Sequence, residues 1–157
     1  MNFLQVQKNT AEGPGGRMGH QMFLVGENKL LVIGGHYKDW QNTEMTFNHW
    51  KYNAFIYDIL KSKWQRCVSF SEIDLHYVLQ RSLFGAAKSE DGRVFFTGGN
   101  LYDSVQKKVT KYCINEIFAM TLIEENLFKV EKITFALKDF PKQHDFCLAS
   151  CTMSYNR

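Results

Sequence analysis

Arg17–Gly35 reads RMGHQMFLVGENKLLVIGG, and Arg81–Gly99 reads RSLFGAAKSEDGRVFFTGG. The two stretches overlay without a gap at a shift of 64 positions, which sets Arg17 on Arg81 and Gly34-Gly35 on Gly98-Gly99. Leu30, Leu31 and Val32 then meet Val94, Phe95 and Phe96. The polar Gly26-Glu27-Asn28-Lys29 meets Glu90-Asp91-Gly92-Arg93. Short β-prone runs around a polar turn signal a hairpin. The pattern predicts Met22–Val25 paired with Lys29–Ile33, and Phe84–Lys88 paired with Arg93–Thr97. Each hairpin closes on a double glycine.

The match continues downstream with one added residue. Asn53–Leu60 reads as a strand, Lys61-Ser62-Lys63 as a turn and Trp64–Val68 as a strand. In the second unit Glu116–Ile123, Glu124-Glu125-Asn126 and Leu127–Ile133 take those places, with Met120 where Tyr57 stands and Phe128 near the place of Trp64. Each unit therefore predicts four short antiparallel strands. Four-stranded units repeated along a chain are the signature of propeller blades.

These residues carry a specific resemblance. Arg17, Gly19 and His20, then Gly34-Gly35, then Tyr57-Asp58 and Trp64 seven positions after Tyr57, resemble a kelch repeat. The second unit keeps Arg81 and Gly98-Gly99 and departs at Phe84, which stands where His20 does. The resemblance implies an all-β chain of kelch-type blades in an incomplete ring. Residues 1–16 would be the trailing strand of a preceding blade with a linker, 17–80 blade one, 81–143 blade two and 144–157 the leading strand of a further blade. In such a fold the double glycines allow close backbone approach, and Tyr57 and Trp64 fill space between neighbouring blade sheets. Propellers close with typically 4–8 blades. Two blades leave open strand edges and uncovered sheet faces, which offer a route to self-association. The chain is thus expected to be a piece of a longer protein, a truncated product or a unit that closes with copies of itself.

Two connections are oversized for hairpins, His36–Asn53 and Asn100–Asn115. The first carries His36, Tyr37, Trp40, Phe47, His49, Trp50 and Tyr52; the second carries Lys107, Lys108 and Lys111. The resemblance places both on one propeller face, together with the blade-joining segments Ser69–Gln80 and Thr134–Gln143. That face binds a partner protein or peptide in kelch domains. His36, Tyr37, Trp40, Phe47, Trp50, Lys107, Lys108 and Lys111 are accordingly the candidate contact residues. Aromatic side chains anchor interfaces, and lysines steer acidic partners. Ser71–Leu79 reads as one or two helical turns with Ser71 as N-cap.

Composition limits the alternatives. The chain has 157 residues, 45% of them hydrophobic and 15% aromatic, with only 2 Pro, which suits one strand-rich globular domain. A net charge of +3 with scattered Lys and Arg argues against a nucleic-acid binder. No apolar run approaches the ~20 residues of a membrane helix, and the first residues lack a signal-peptide pattern. Four irregularly spaced Cys are expected as reduced thiols in the cytoplasm, with the nucleus as the other compartment. Cys147-x₃-Cys151 and the His36/His49 pair lack the partners of a metal site. No nucleophile elbow, phosphate loop, zinc-protease or dinucleotide motif occurs. The sequence thus predicts a non-catalytic adaptor module with no cofactor, such as a ubiquitin-ligase substrate-recognition part. The alternative is a fragment of a kelch-like propeller enzyme whose active site needs further blades.

Overall fold

Side chains alternate between two faces along β1 (Met18–Val25): every second one, three of them apolar, is exposed until Val25 is buried. The structure, a computed structural model, describes residues 13–38, 47–48, 53–103, 108–110 and 116–134. Within them the chain is all-β, with a single helical turn. β1 pairs antiparallel with β2 (Lys29–Lys38), placing Phe23 opposite Leu31 and Leu24 opposite Leu30. β2 pairs with β4 (Ala54–Asp58), and β4 with β5 (Lys63–Arg66). The first sheet thus has the order β1-β2-β4-β5, and β3 (Phe47–Asn48) joins the far end of β2.

The second unit repeats this order. β8 (Gly85–Lys88), β9 (Val94–Thr97), β12 (Ile117–Glu124) and β13 (Leu127–Ile133) pair antiparallel in succession. β7 (Arg81–Ser82) is separate from β8 and pairs with β10 (Asn100–Asp103), which pairs with β11 (Lys108–Thr110). β8 thus begins one position after the expected Phe84, and it is separated from β7 by Leu83, which adopts a left-handed backbone with φ 56°. Gly19, 64 positions earlier, adopts the same region at φ 68°, where the absent side chain lets β1 run on.

The expected strand Trp64–Val68 is also divided. β5 ends at Arg66, and Cys67 still donates its N–H to the Ala54 carbonyl at 3.1 Å. The chain then leaves the first sheet. β6 (Val68–Ser69) runs parallel beside β13 of the second sheet, with Val68 opposite Leu127. This crossing covers the start of the β13 edge, at Leu127 and Phe128, and ties the sheets together; an edge strand left bare offers its N–H and C=O groups to other chains.

The two sheets pack face to face. Val25, Leu31, Ile33, Ala54, Ile56 and Cys67 meet Phe84, Val94, Phe96, Phe118, Met120 and Phe128 in one buried cluster. Phe96 stacks on Phe118 with centroids 5.4 Å apart. Polar bonds link the sheets at their margins: Gln21 donates to the Phe84 carbonyl at 3.0 Å and Lys88 to the Leu24 carbonyl at 2.8 Å. Asn126 donates to the Arg66 carbonyl at 2.7 Å.

Between the sheets lies α1 (Leu75–Val78), a single turn. Its cap is Asp74, not Ser71: the Asp74 carboxylate accepts the Tyr77 N–H at 3.2 Å. Ser71 instead shares a 2.6 Å bond with the Ser69 hydroxyl. Leu75, Val78 and Leu79 are buried, and Ile73 packs on the cluster, while Tyr77 is 63% exposed. The linker is thus part of the core.

Candidate interaction surface

Both double glycines sit where the long connections begin, and Gly34 also lies where the two units touch. Gly34 and Gly35 have φ of 64° and 88°; Gly98 and Gly99 have 70° and 89°. A side chain at Gly34 would stand 2.7 Å from the Arg81 carbonyl oxygen and 2.9 Å from Phe84 Cζ. The close fit explains the glycine: the first unit's backbone sits directly on the start of the second. At Gly35 a side chain would meet His20 Cβ at 2.9 Å.

Each pair is held by an arginine 17 positions before it. Arg17 Nη1 donates to the Gly34 carbonyl at 2.8 Å and Nε to the Pro14 carbonyl at 2.8 Å. Arg81 Nη1 donates to the Gly98 carbonyl at 3.1 Å and Nε to the Val78 carbonyl at 2.5 Å. Arg17 lies over the Phe55 ring at 5.1 Å, and Arg81 over Phe118 at 5.5 Å and Phe96 at 5.4 Å. Phe55 and Phe118 also face equivalent partners, Val32 and Phe96. Arg81 is 1% exposed. Burial pulls both guanidinium groups down to about 10, and at Arg81 nearby Glu116 acts in the opposite sense. Both remain protonated at neutral pH. Carbonyl bonds and aromatic faces replace the water that these cations lose.

From these fixed points two ribbons extend. β2 runs past Gly35 through His36, Tyr37 and Lys38, where Tyr37 pairs with Asn48 and Lys38 with Phe47. Past Gly99, β10 pairs with β11, Leu101 with Thr110 and Asp103 with Lys108. The oversized connections are therefore partly β-ribbons, each leaving directly after its double glycine. His36 is half-buried, and burial lowers its pKa, which keeps the ring neutral at pH 7.

Of the candidate contact residues, His36 is described with its side chain, and Tyr37, Phe47 and Lys108 are placed by backbone pairing. Trp40, Trp50, Lys107 and Lys111 lie outside the described residues, as do His49, Cys113, Cys147, Cys151 and the joining segment beyond Thr134. Cys67 is a buried free thiol whose pKa burial raises. Among the described residues no group of three or more His, Cys, Asp or Glu could hold a metal ion. No helix among them is long and apolar enough to cross a membrane, which leaves β-barrels untouched.

Tyr57 and Trp64 pair with each other, centroids 4.9 Å apart at 47°. They do not fill the space between the two described sheets. Tyr57 stands opposite Leu30, on the face of the first sheet that points away from the second, and both rings are half-buried. In the second unit Met120 pairs with Val94 and Val130, so Val130 holds the register place of Trp64, and Phe128 stands two positions earlier, opposite Leu122. Asp58, next to Tyr57 in the strand and on the opposite face, is buried and accepts the Lys61 N–H at 2.9 Å. That bond first, then the charge of Lys29 at 3.5 Å, holds its carboxyl below the ordinary value.

The sequence left two contributors unmarked: the β6 crossing and the Asp74 cap. The cap had a signal in Asp74 three positions before Tyr77; β6, two residues long, had none. Compared with protein-family models and with curated proteins, the chain gives no match.

Proposed function

We propose that the chain is a kelch-type propeller segment acting as a non-catalytic protein-interaction module, with the two ribbons as its contact surface. One observation carries this reading: in each unit a β-ribbon grows from the equivalent double-glycine point, beside the equivalent arginine anchor. A rigid stacked scaffold that projects two variable ribbons suits recognition, since binding residues concentrate on loops held by a fixed framework. The first ribbon is aromatic and the second basic. The partner would be a protein segment that carries acidic and apolar side chains, with the lysines speeding encounter and the aromatics holding the complex. An adaptor role, including substrate recognition for a ubiquitin ligase, is reached from this chemistry by analogy of fold.

The test is capture of partners by the protein that contains this chain. Trp40→Ala with Trp50→Ala should lose the partner while the melting profile stays unchanged, and the wild-type complex should weaken with added salt. Partners fully retained by the folded double variant would place binding elsewhere.

A further inference from the structure

The face of the first sheet that points away from the second is strongly apolar. Met18, Met22 and Leu24 are 42%, 55% and 47% exposed, and Leu30, Tyr57 and Trp64 beside them are half-buried. The 64-residue shift says what such a face receives. Leu30 corresponds to Val94, and the strand register equates Tyr57 with Met120 and Trp64 with Val130. Val94, Met120 and Val130 are buried, because the inner face of the first sheet lies on them. The first sheet's outer face is thus a second specimen of a surface whose partner is already seen inside the molecule.

That partner also recurs. Leu31 and Ile56 of the first sheet's inner face correspond to Phe95 and Ala119, which lie on the outer face of the second sheet with Ala87 and Ile117. One face carries long flexible apolar side chains. The other carries Phe95 under the Arg93 guanidinium, with Ala87 and Ile117 and the Lys129–Glu131 ion pair on the same face, so an apolar surface meets one whose apolar centre has a charged margin.

We infer that two copies of this chain associate head to tail, the outer face of one copy's first sheet on the outer face of the other copy's second sheet. The contact repeats, between molecules, the sheet-on-sheet packing inside each one. Of the two routes the sequence left open, strand edges and sheet faces, the contact uses the faces; β6 covers the start of the β13 edge. Because the two faces differ, the contact is heterologous and propagates until a ring closes. The inference rests on the stacking of the sheets and not on the ribbons, so its failure leaves the ribbon proposal intact.

Light scattering coupled to size exclusion reads the result directly. The wild-type chain should show a mass that rises with concentration to multiples of the monomer. Met22→Glu with Leu24→Glu blocks one face, and Ala87→Glu blocks the other. Each variant should be a folded monomer by circular dichroism. Mixed in equal amounts, they should form a species of twice the monomer mass, since each retains the face that the other lacks. If either variant fails to fold, the single Met22→Lys change at the most exposed of the three sites replaces the first, and Phe95→Ala the second. A wild-type monomer at every concentration overturns the proposal, and so does a mixture of folded monomers that gives no dimer.

Discussion

Replacing Gly34 with alanine tests the packing of the first unit on the second. At φ 64° an L residue enters the left-handed region, which costs about 1–2 kcal/mol. The new methyl would stand 2.7 Å from the Arg81 carbonyl oxygen, a backbone atom that cannot swing aside, and 2.9 Å from Phe84 Cζ. Forced rearrangement of a packed interior adds about 1–3 kcal/mol. Reduced freedom of the unfolded chain returns about 0.4–1 kcal/mol. The net loss is about 2–4 kcal/mol, and for a chain of this size each kcal/mol moves the melting midpoint by about 2–4 °C. Differential scanning calorimetry should therefore show a fall of about 5–15 °C. Gly16 is the control, with nothing within 4 Å of a built Cβ and no left-handed backbone; Gly16→Ala should stay within about 1 kcal/mol of wild type. Introducing Phe84→Ala beside Gly34→Ala should shrink the Gly34 penalty without abolishing it, since the Arg81 carbonyl remains. A Gly34→Ala protein that melts with the wild type would refute the close approach of the two units.

The same geometry sets three further outcomes. Leu83 occupies with a side chain the left-handed position that Gly19 fills without one, so Leu83→Gly should leave stability within about 1 kcal/mol, while the β-branched Leu83→Val should lower it by about 1–2 kcal/mol in urea unfolding. Arg81→Lys keeps the charge but cannot serve the Val78 and Gly98 carbonyls together across two aromatic rings, and should cost about 2–4 kcal/mol by the same method. Asp58 has a depressed pKa in the folded state, so its contribution is present above the unfolded carboxylate value and disappears as pH falls through the folded one; the midpoint should drop below about pH 4, and less steeply in Asp58→Asn.

The repeat was legible because glycine pairs, arginines and apolar runs recur at a fixed offset, and backbone needs of this kind leave few residue choices. Gly34-Gly35 and Gly98-Gly99 show the same positive φ values, and Arg17 and Arg81 bind the same carbonyls. The strand Leu127–Ile133 coincides with its predicted limits. Other features are set by tertiary contacts that no local pattern encodes. Val68–Ser69 read as the end of a first-unit strand, yet the open edge of β13, some 60 positions away in the chain, captures them. Leu83 holds a glycine-like backbone because the second unit's entry must track Gly19, whose carbonyl accepts the Leu83 N–H at 3.0 Å. Tyr57 and Trp64 matched the motif, but their face is decided by strand pairing, and it is the outer one. The candidate contact residues were the least legible part, since no packing rule of the fold fixes which side chains a projecting ribbon carries.

The stacking of two like units through Gly34 and Phe84 is the claim on which the rest depends. Nuclear Overhauser spectroscopy of the isotopically labelled chain measures it directly. The Phe84 ring protons should show strong contacts to the Gly34 Hα pair, and the Gly34 amide, bonded to the Asn53 carbonyl at 2.8 Å, should exchange slowly with solvent. A Phe84 ring with no contact to Gly34, together with a fast-exchanging Gly34 amide, would contradict the stacked arrangement.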